Sequence, residues 1–391
     1  MQKNYKRSVM RLKTVVKLGT ILSVLLFVLA VGYYAFMRLD MMDRNRNVDL
    51  FSLVPSSSVG VLESNNVNAF FNEYASLNYS SELQNMQFPG LFNFLIHELN
   101  MYAGDNAHGL SNQMNQLVVS FHQPVTPHNQ VVYFRLCMAD EQLLSDMLQG
   151  YMYGNFLPKE ETYRGKKILI YPLSHDEFLA TYTEEGFVVL SYQKRLVEEV
   201  IDAQLDETAL GHDSVFSRML EKKKSKDFLT LYGRSSSIPV LDLKSEGWSE
   251  YDFHLNSDVV YLTGDMYASD ETDEKENISQ CLKDIPVVKE EGLFVSAEKD
   301  STAYYMAEAF DANDTGNRTL FNECVANLAN EVDFSLVADM QKVEENPQRF
   351  ESYLPSFMIE NASLLRSFIL SAQLSLNGER ASHIWVFTYK D

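Results

Sequence analysis

Apolar residues recur along this chain in three patterns. Leu18 to Met37 is a run of twenty residues without a charge. From about residue 57 onward, short runs of period two alternate with longer stretches of period 3.6, which predict strands and helices respectively. Val59–Glu63, Leu117–His122, Gln130–Met138, Lys167–Tyr171, Phe178–Tyr182, Phe187–Ser191 and Phe228–Tyr232 read as strands. So do Asp252–Asn256, Val259–Asp265, Gly292–Ala297, Phe368–Leu376 and Ala381–Tyr389. The polar turn with Pro124, Pro127 and Asn129 predicts one hairpin, and Asn377-Gly378 predicts a type I′ hairpin near the end of the chain.

Helices are predicted after Asn65 and Asn66, over Leu91–Tyr102, from Asp140 to about Gln149, and over Tyr192–Leu205. The last of these lines up Leu196, Val197, Val200 and Ile201 on one stripe. Another is expected to be capped by Asp300 or Ser301 and to present Ala303, Met306, Ala307 and Phe310 together, with more helix across Arg318–Gln341. The acidic stretch Ser269–Glu276 reads as an exposed loop. Strand, helix, further helix and hairpin thus occur near residue 60 and again near residue 293, which suggests a duplicated unit. The expected fold is α+β, with antiparallel hairpins packed by helices in two related halves.

The uncharged run is long enough, at 1.5 Å per residue, to cross a hydrocarbon core of about 30 Å. Lys3, Lys6, Arg7, Arg11, Lys13 and Lys17 precede it without an acid among them, whereas Arg38, Arg44 and Arg46 after it are mixed with Asp40, Asp43 and Asp49. The positive-inside rule then sets the N-terminus in the cytoplasm. A cleaved signal peptide is the competing reading, but Gly32-Tyr33-Tyr34-Ala35-Phe36 is a poor cleavage site. The expected organisation is a cytoplasmic tail (1–17), a transmembrane helix (18–37), a tether (38–56), a first exported half (57–267) and a second (285–391).

Charge sharpens this division. Residues 1–46 hold nine of the 33 basic and two of the 54 acidic residues, leaving 24 against 52 and a net charge of −28 for residues 47–391. Such a surface repels nucleic acid and anionic headgroups. Cys137, Cys281 and Cys324 are too few for a disulfide framework, although a Cys281–Cys324 bridge is open on sequence alone.

Several features in order resemble the bacterial membrane-anchored family catalogued as domain of unknown function 3352. They are Leu53-Val54-Pro55 before Val59–Glu63, Glu185–Ser191 leading into Leu196–Ala203, His212–Phe216, Phe228–Tyr232, and Tyr251-Asp252-Phe253 through Leu262-Thr263-Gly264. The resemblance runs through most of residues 50–267. It implies an envelope location and an α+β fold, and it brings no established activity and no catalytic residue.

Chemical signatures are sparse. No glycine-rich phosphate loop, G-x-S-x-G, S-x-x-K or C-x-x-C occurs. His97-Glu98 begins a zinc-protease pattern, but Met101 stands where the second histidine is needed. Asp311, Asn313, Thr315 and Gly316 imitate the start of a calcium loop that lacks its final glutamate, Asn322 being in its place. The cluster Lys222, Lys223, Lys224 and Lys226 reads as the solvated end of a helix. Asp213-Ser214-Val215 and Asp300-Ser301-Thr302 resemble an envelope O-glycosylation pattern, and Ser214 and Ser301 read equally well as helix caps. No catalytic, cofactor-binding or metal-binding residue is therefore assigned and no cofactor is expected.

The functional expectation is a non-enzymatic binding or scaffolding protein on the outer side of a bacterial cytoplasmic membrane. Its expected partners are that membrane and other envelope proteins, and not nucleic acid. The alternative is an envelope hydrolase with a site assembled from scattered carboxylates and histidines.

Overall fold

The structure, a computed structural model, describes residues 28–35 and 48–391 with gaps. The gaps are most of 68–115 and 137–156, all of 174–176, 224–228, 235–246, 269–270, 315–318 and 377–379, and positions 125, 127, 185 and 391. The expected elements at 91–102, the Asn377-Gly378 turn and Cys137 lie outside the described residues.

The strands are β1 (Gly60–Ser64), β2 (Leu117–Phe121), β3 (Gln130–Arg135), β4 (Lys159–Tyr163), β5 (Lys166–Pro172), β6 (Phe178–Glu184), β7 (Phe187–Ser191) and β8 (Leu229–Arg234). They continue with β9 (Trp248–Leu255), β10 (Val259–Tyr267), β11 (Val288–Glu290), β12 (Leu293–Ser296), β13 (Phe334–Asp339), β14 (Phe368–Ser375) and β15 (Ser382–Tyr389). These fifteen strands of the described residues pair antiparallel in one sheet, in the order β11-β12-β13-β14-β15-β10-β9-β8-β1-β2-β3-β7-β6-β5-β4. This corrects the expected fold class. In place of hairpins grouped into two halves there is one continuous sheet, because β10 pairs along seven residues with β15, from Val259↔Thr388 to Asp265↔Ser382.

The expected transmembrane helix is corrected as well. Among the described residues no helix is long and apolar enough to cross a membrane. Within 18–37 the described residues are 28–35, which are helical. The rest of that run lies outside the described residues.

Both faces of the sheet are packed, so its strands carry near-continuous apolar runs in place of a polar–apolar alternation. On one face Val61, Val118, Val131, Tyr133, Phe187 and Val189 meet α1 (Lys194–Leu205) and α2 (Ser214–Lys222). The residues between them, Leu62, Leu117, Val119, Val132, Phe134, Val188 and Leu190, meet Val67, Leu144 and Leu148 on the other face. The far end of the sheet repeats the arrangement. Leu293, Val295, Leu336, Leu370 and Ala372 pack with Ile278 and Leu282 of α3 (Glu271–Lys283), while Phe294, Val337 and Ile369 pack with Ala309 of α4 (Lys299–Asp314) and Val325 of α5 (Leu320–Ala326).

Local expectations fail where charge or small residues mask the pattern. The supposed acidic loop is the start of α3, anchored by Ile278 and Leu282. The supposed helix Arg318–Gln341 is interrupted by β13 and resumes as Met340–Glu345. Of the expected α4 face, Ala303, Ala307 and Phe310 are exposed, and Thr302 and Ala309 are buried instead. In the expected tether, Leu50, Phe51, Leu53 and Val54 are core residues. Cys281 on α3 and Cys324 on α5 are free thiols on opposite faces of the sheet, so the sheet itself separates them.

The two edges, β4 and β11, carry Lys159, Glu160 and Glu161 and Lys289 and Glu290 respectively. Short, charged edges of this kind resist pairing with another chain.

Candidate functional site

The densest polar grouping lies in the middle of the sheet, under the end of α2. Asp213 caps that helix, its Oδ1 accepting from the backbone N–H of Val215 at 2.9 Å and of Phe216 at 2.8 Å. Asp213 rather than Ser214 is thus the cap. The phase so set buries Val215, Phe216 and Met219 against the sheet. It also turns Lys223, the residue after the helix, inward: its side chain is only 9% exposed. The expectation of a solvated lysine cluster fails at this residue; Lys224 and Lys226 lie outside the described residues.

Strand register supplies the other groups. Glu63, Thr230 and Asp252 lie directly opposite one another across β1, β8 and β9, and Tyr232 lies opposite Glu250 one pleat along. Lys223 Nζ donates to Thr230 Oγ1 at 2.5 Å and to Tyr232 Oη at 2.9 Å. It also lies 3.4 Å from Asp252 Oδ1 and 3.7 Å from Glu63 Oε2. Thr230 donates to Asp252 at 2.5 Å, and Tyr232 donates to Glu63 at 2.7 Å. One ammonium thus serves two carboxylates and two hydroxyls, and the Thr230 hydroxyl is committed to Asp252. Burial, and then the Glu63 carboxylate, push the Tyr232 phenol far up.

Glu250 is the odd member. It is 7% exposed, and its Oε2 has no hydrogen-bond partner. Its carboxyl is pushed up to about 7, chiefly by burial and next by Asp252; Asp265 adds to this, while Lys223 and Arg380 oppose it. A raised carboxyl beside a second carboxylate resembles an acid–base pair, but both Glu250 and Asp252 sit beneath α2.

A second grouping joins β2 and β3. Ser120 Oγ lies 2.8 Å from His122 Nε2 and 3.0 Å from Tyr133 Oη, all three buried. Burial and then the Arg195 charge push the His122 imidazole down to about 4. The contact is that of a nucleophile and a base, but the serine is fully buried and its second neighbour is a phenol, where a hydrolase would present a substrate.

The remaining histidines do not converge. His383 is buried on the opposite face with its ring 4.5 Å from Tyr251, and its ring nitrogens make no hydrogen bond. His128 lies beside Tyr192, His254 contacts Thr263, and His212 sits in a short 3-10 turn. His97, His108 and His175 lie outside the described residues, as does much of the calcium-like loop. Among the described residues no group of three or more His, Cys, Asp or Glu side chains is arranged to hold a metal ion.

Sequence reasoning missed both groupings. The available signal was the spacing Glu250-x-Asp252 and Ser120-x-His122, which puts each pair on one face of a strand. In comparisons with known proteins, no family model, no curated protein and no solved structure matches this chain.

Proposed function

We propose that this chain is a non-enzymatic binding or scaffolding protein of a bacterial envelope, associated with the cytoplasmic membrane, its acidic body on the outer side. The observation that carries the reading is burial: among the described residues the side chains most capable of chemistry, Ser120, His122, Thr230, Lys223 and Asp252, are held within the sheet's packing and bonded in two groups. What remains for contact is a broad acidic surface on a platform that follows about 65 Å of sheet at ~4.8 Å per strand. The location is supported by the contrast between a basic first segment and the −28 charge of residues 47–391, and by the ordered likeness to the family named above. Basic or cationic partners suit such a surface.

Crosslinking in intact membranes followed by mass spectrometry tests it. The expected result is a reproducible set of envelope proteins linked to exposed residues of this chain; recovery of abundant bystanders alone counts against it. A reporter fused after Asp391 should be active outside the cytosol.

The hydrolase reading keeps one specific observation in its favour, the 2.8 Å contact of Ser120 with His122. Labelling of Ser120 by a small fluorophosphonate on the native protein, lost in His122→Ala, would support it over scaffolding.

A further inference from the structure

The Glu250 carboxyl has one oxygen, Oε2, without a hydrogen-bond partner, and it holds a costly buried position. It shares one face of β9 with Trp248 and Asp252. Across the strands stand Tyr232 on β8 and, beyond it, Glu63 on β1. On the other side stands Asp265 of β10, which accepts from Ser382 and pairs with Arg380 at 3.4 Å. Above lies α2, with Lys223 at its end, Phe216 5.0 Å edge-on to the Trp248 ring, and Arg218 donating to the Ala268 carbonyl. Among the described residues, the charged groups that act on Glu250 are Asp252 and Asp265 against Lys223 and Arg380, with Glu63 beyond Tyr232 and Arg234 stacked on the Trp248 ring. Among the described residues the nearby ammonium, that of Lys223, is already shared by Asp252 and Glu63.

We propose that Glu250 is a proton-operated latch that holds the end of α2 on the centre of the sheet. With its proton, the carboxyl is a neutral group that tolerates burial under the helix. Without it, a third carboxylate stands beside Asp252 and Asp265, with an oxygen that no donor reaches. Water is the remaining source of donors, and the way to it is for the Lys223 end of α2 to lift from β9 and β10. The device responds to alkalinity, a change that an envelope domain meets directly and a cytosolic one does not.

The sign follows from linkage. The closed state holds the proton up to about pH 7, while an opened, solvated glutamate releases it near 4.5. Closure is thus favoured at low pH and weakens as pH rises through that interval, the opening equilibrium growing about tenfold between pH 6 and 8.5.

Hydrogen–deuterium exchange on the full chain tests this, corrected for intrinsic chemistry with unstructured reference peptides. The expected result is about tenfold faster corrected exchange in Ser214–Lys222 at pH 8.5 than at pH 6, absent in Glu250→Gln. Equal pH dependence in both proteins overturns the proposal, as does acceleration spread evenly over the sheet. Infrared spectroscopy of the wild-type chain is a second readout if the variant fails to fold: a protonated-carboxyl band should vanish in step with the exchange change, and its absence at pH 6 overturns the latch.

Discussion

Gly264 lies so close to Glu250 that a Cβ at position 264 would stand 2.0 Å from the Glu250 carbonyl oxygen. The clash is with backbone, which a rotamer change cannot relieve. Gly264→Ala should therefore cost about 3 kcal/mol or more, with β9 and β10 forced apart. Gly60→Ala, where the nearest atom is 3.4 Å away, should cost far less. Urea denaturation of the two variants checks the contrast.

Lys223 is the shared countercharge of Glu63 and Asp252. Lys223→Met removes the ammonium that two nearly buried carboxylates share and should destabilise by about 3 kcal/mol. Adding Glu63→Gln should recover part of that loss, since one of the stranded charges is then gone. A double-mutant cycle in urea reads the coupling, and strict additivity would show that the network is not one unit.

Acid should destabilise the protein through two histidines. Burial holds both His122 and His383 down at about 4, whereas the unfolded chain takes up a proton near 6.5. Their stabilising effect is complete above 6.5 and lost as pH falls toward 4, about 3 kcal/mol for each histidine. His383→Phe keeps a ring beside Tyr251 and should flatten the stability profile between pH 4 and 6.5. An unchanged slope would show that the ring is solvated.

Cys281 and Cys324 should not pair. Non-reducing peptide maps of protein prepared under oxidising conditions should contain both as free thiols, each alkylated once the chain is unfolded. A linked peptide would mean that the faces assigned to α3 and α5 are wrong.

Much of the fold is legible in the residues. Val131–Phe134 and Phe187–Leu190 are apolar at successive positions, as strands packed on both faces must be, and α1 carries its stripe openly. Elements that follow neither pattern were lost. In β13 the order Phe334-Ser-Leu-Val-Ala-Asp339 sits between helical stretches and reads as their continuation. β4 is an edge with a charged sequence, and α3 shows only Ile278 and Leu282 among thirteen mostly polar residues. The single sheet was invisible because its joints are distant: Glu63 faces Thr230, and Val259 faces Thr388. The central site was hidden for a related reason. Lys223 looks like its surface neighbours until α2 is laid across β9, and no local pattern reports that placement.

The position of β15 bears on how the molecule comes into being. Among the described strands it is the last in chain order, yet it lies inside the sheet, between β14 and β10. Until residue 389 has left the ribosome, two long apolar strands stand with unpaired backbone, an open invitation to intermolecular association. Such a chain cannot mature strand by strand as it emerges. A truncation that removes β15 would leave the backbone groups of β10 and β14 that face it permanently unpaired.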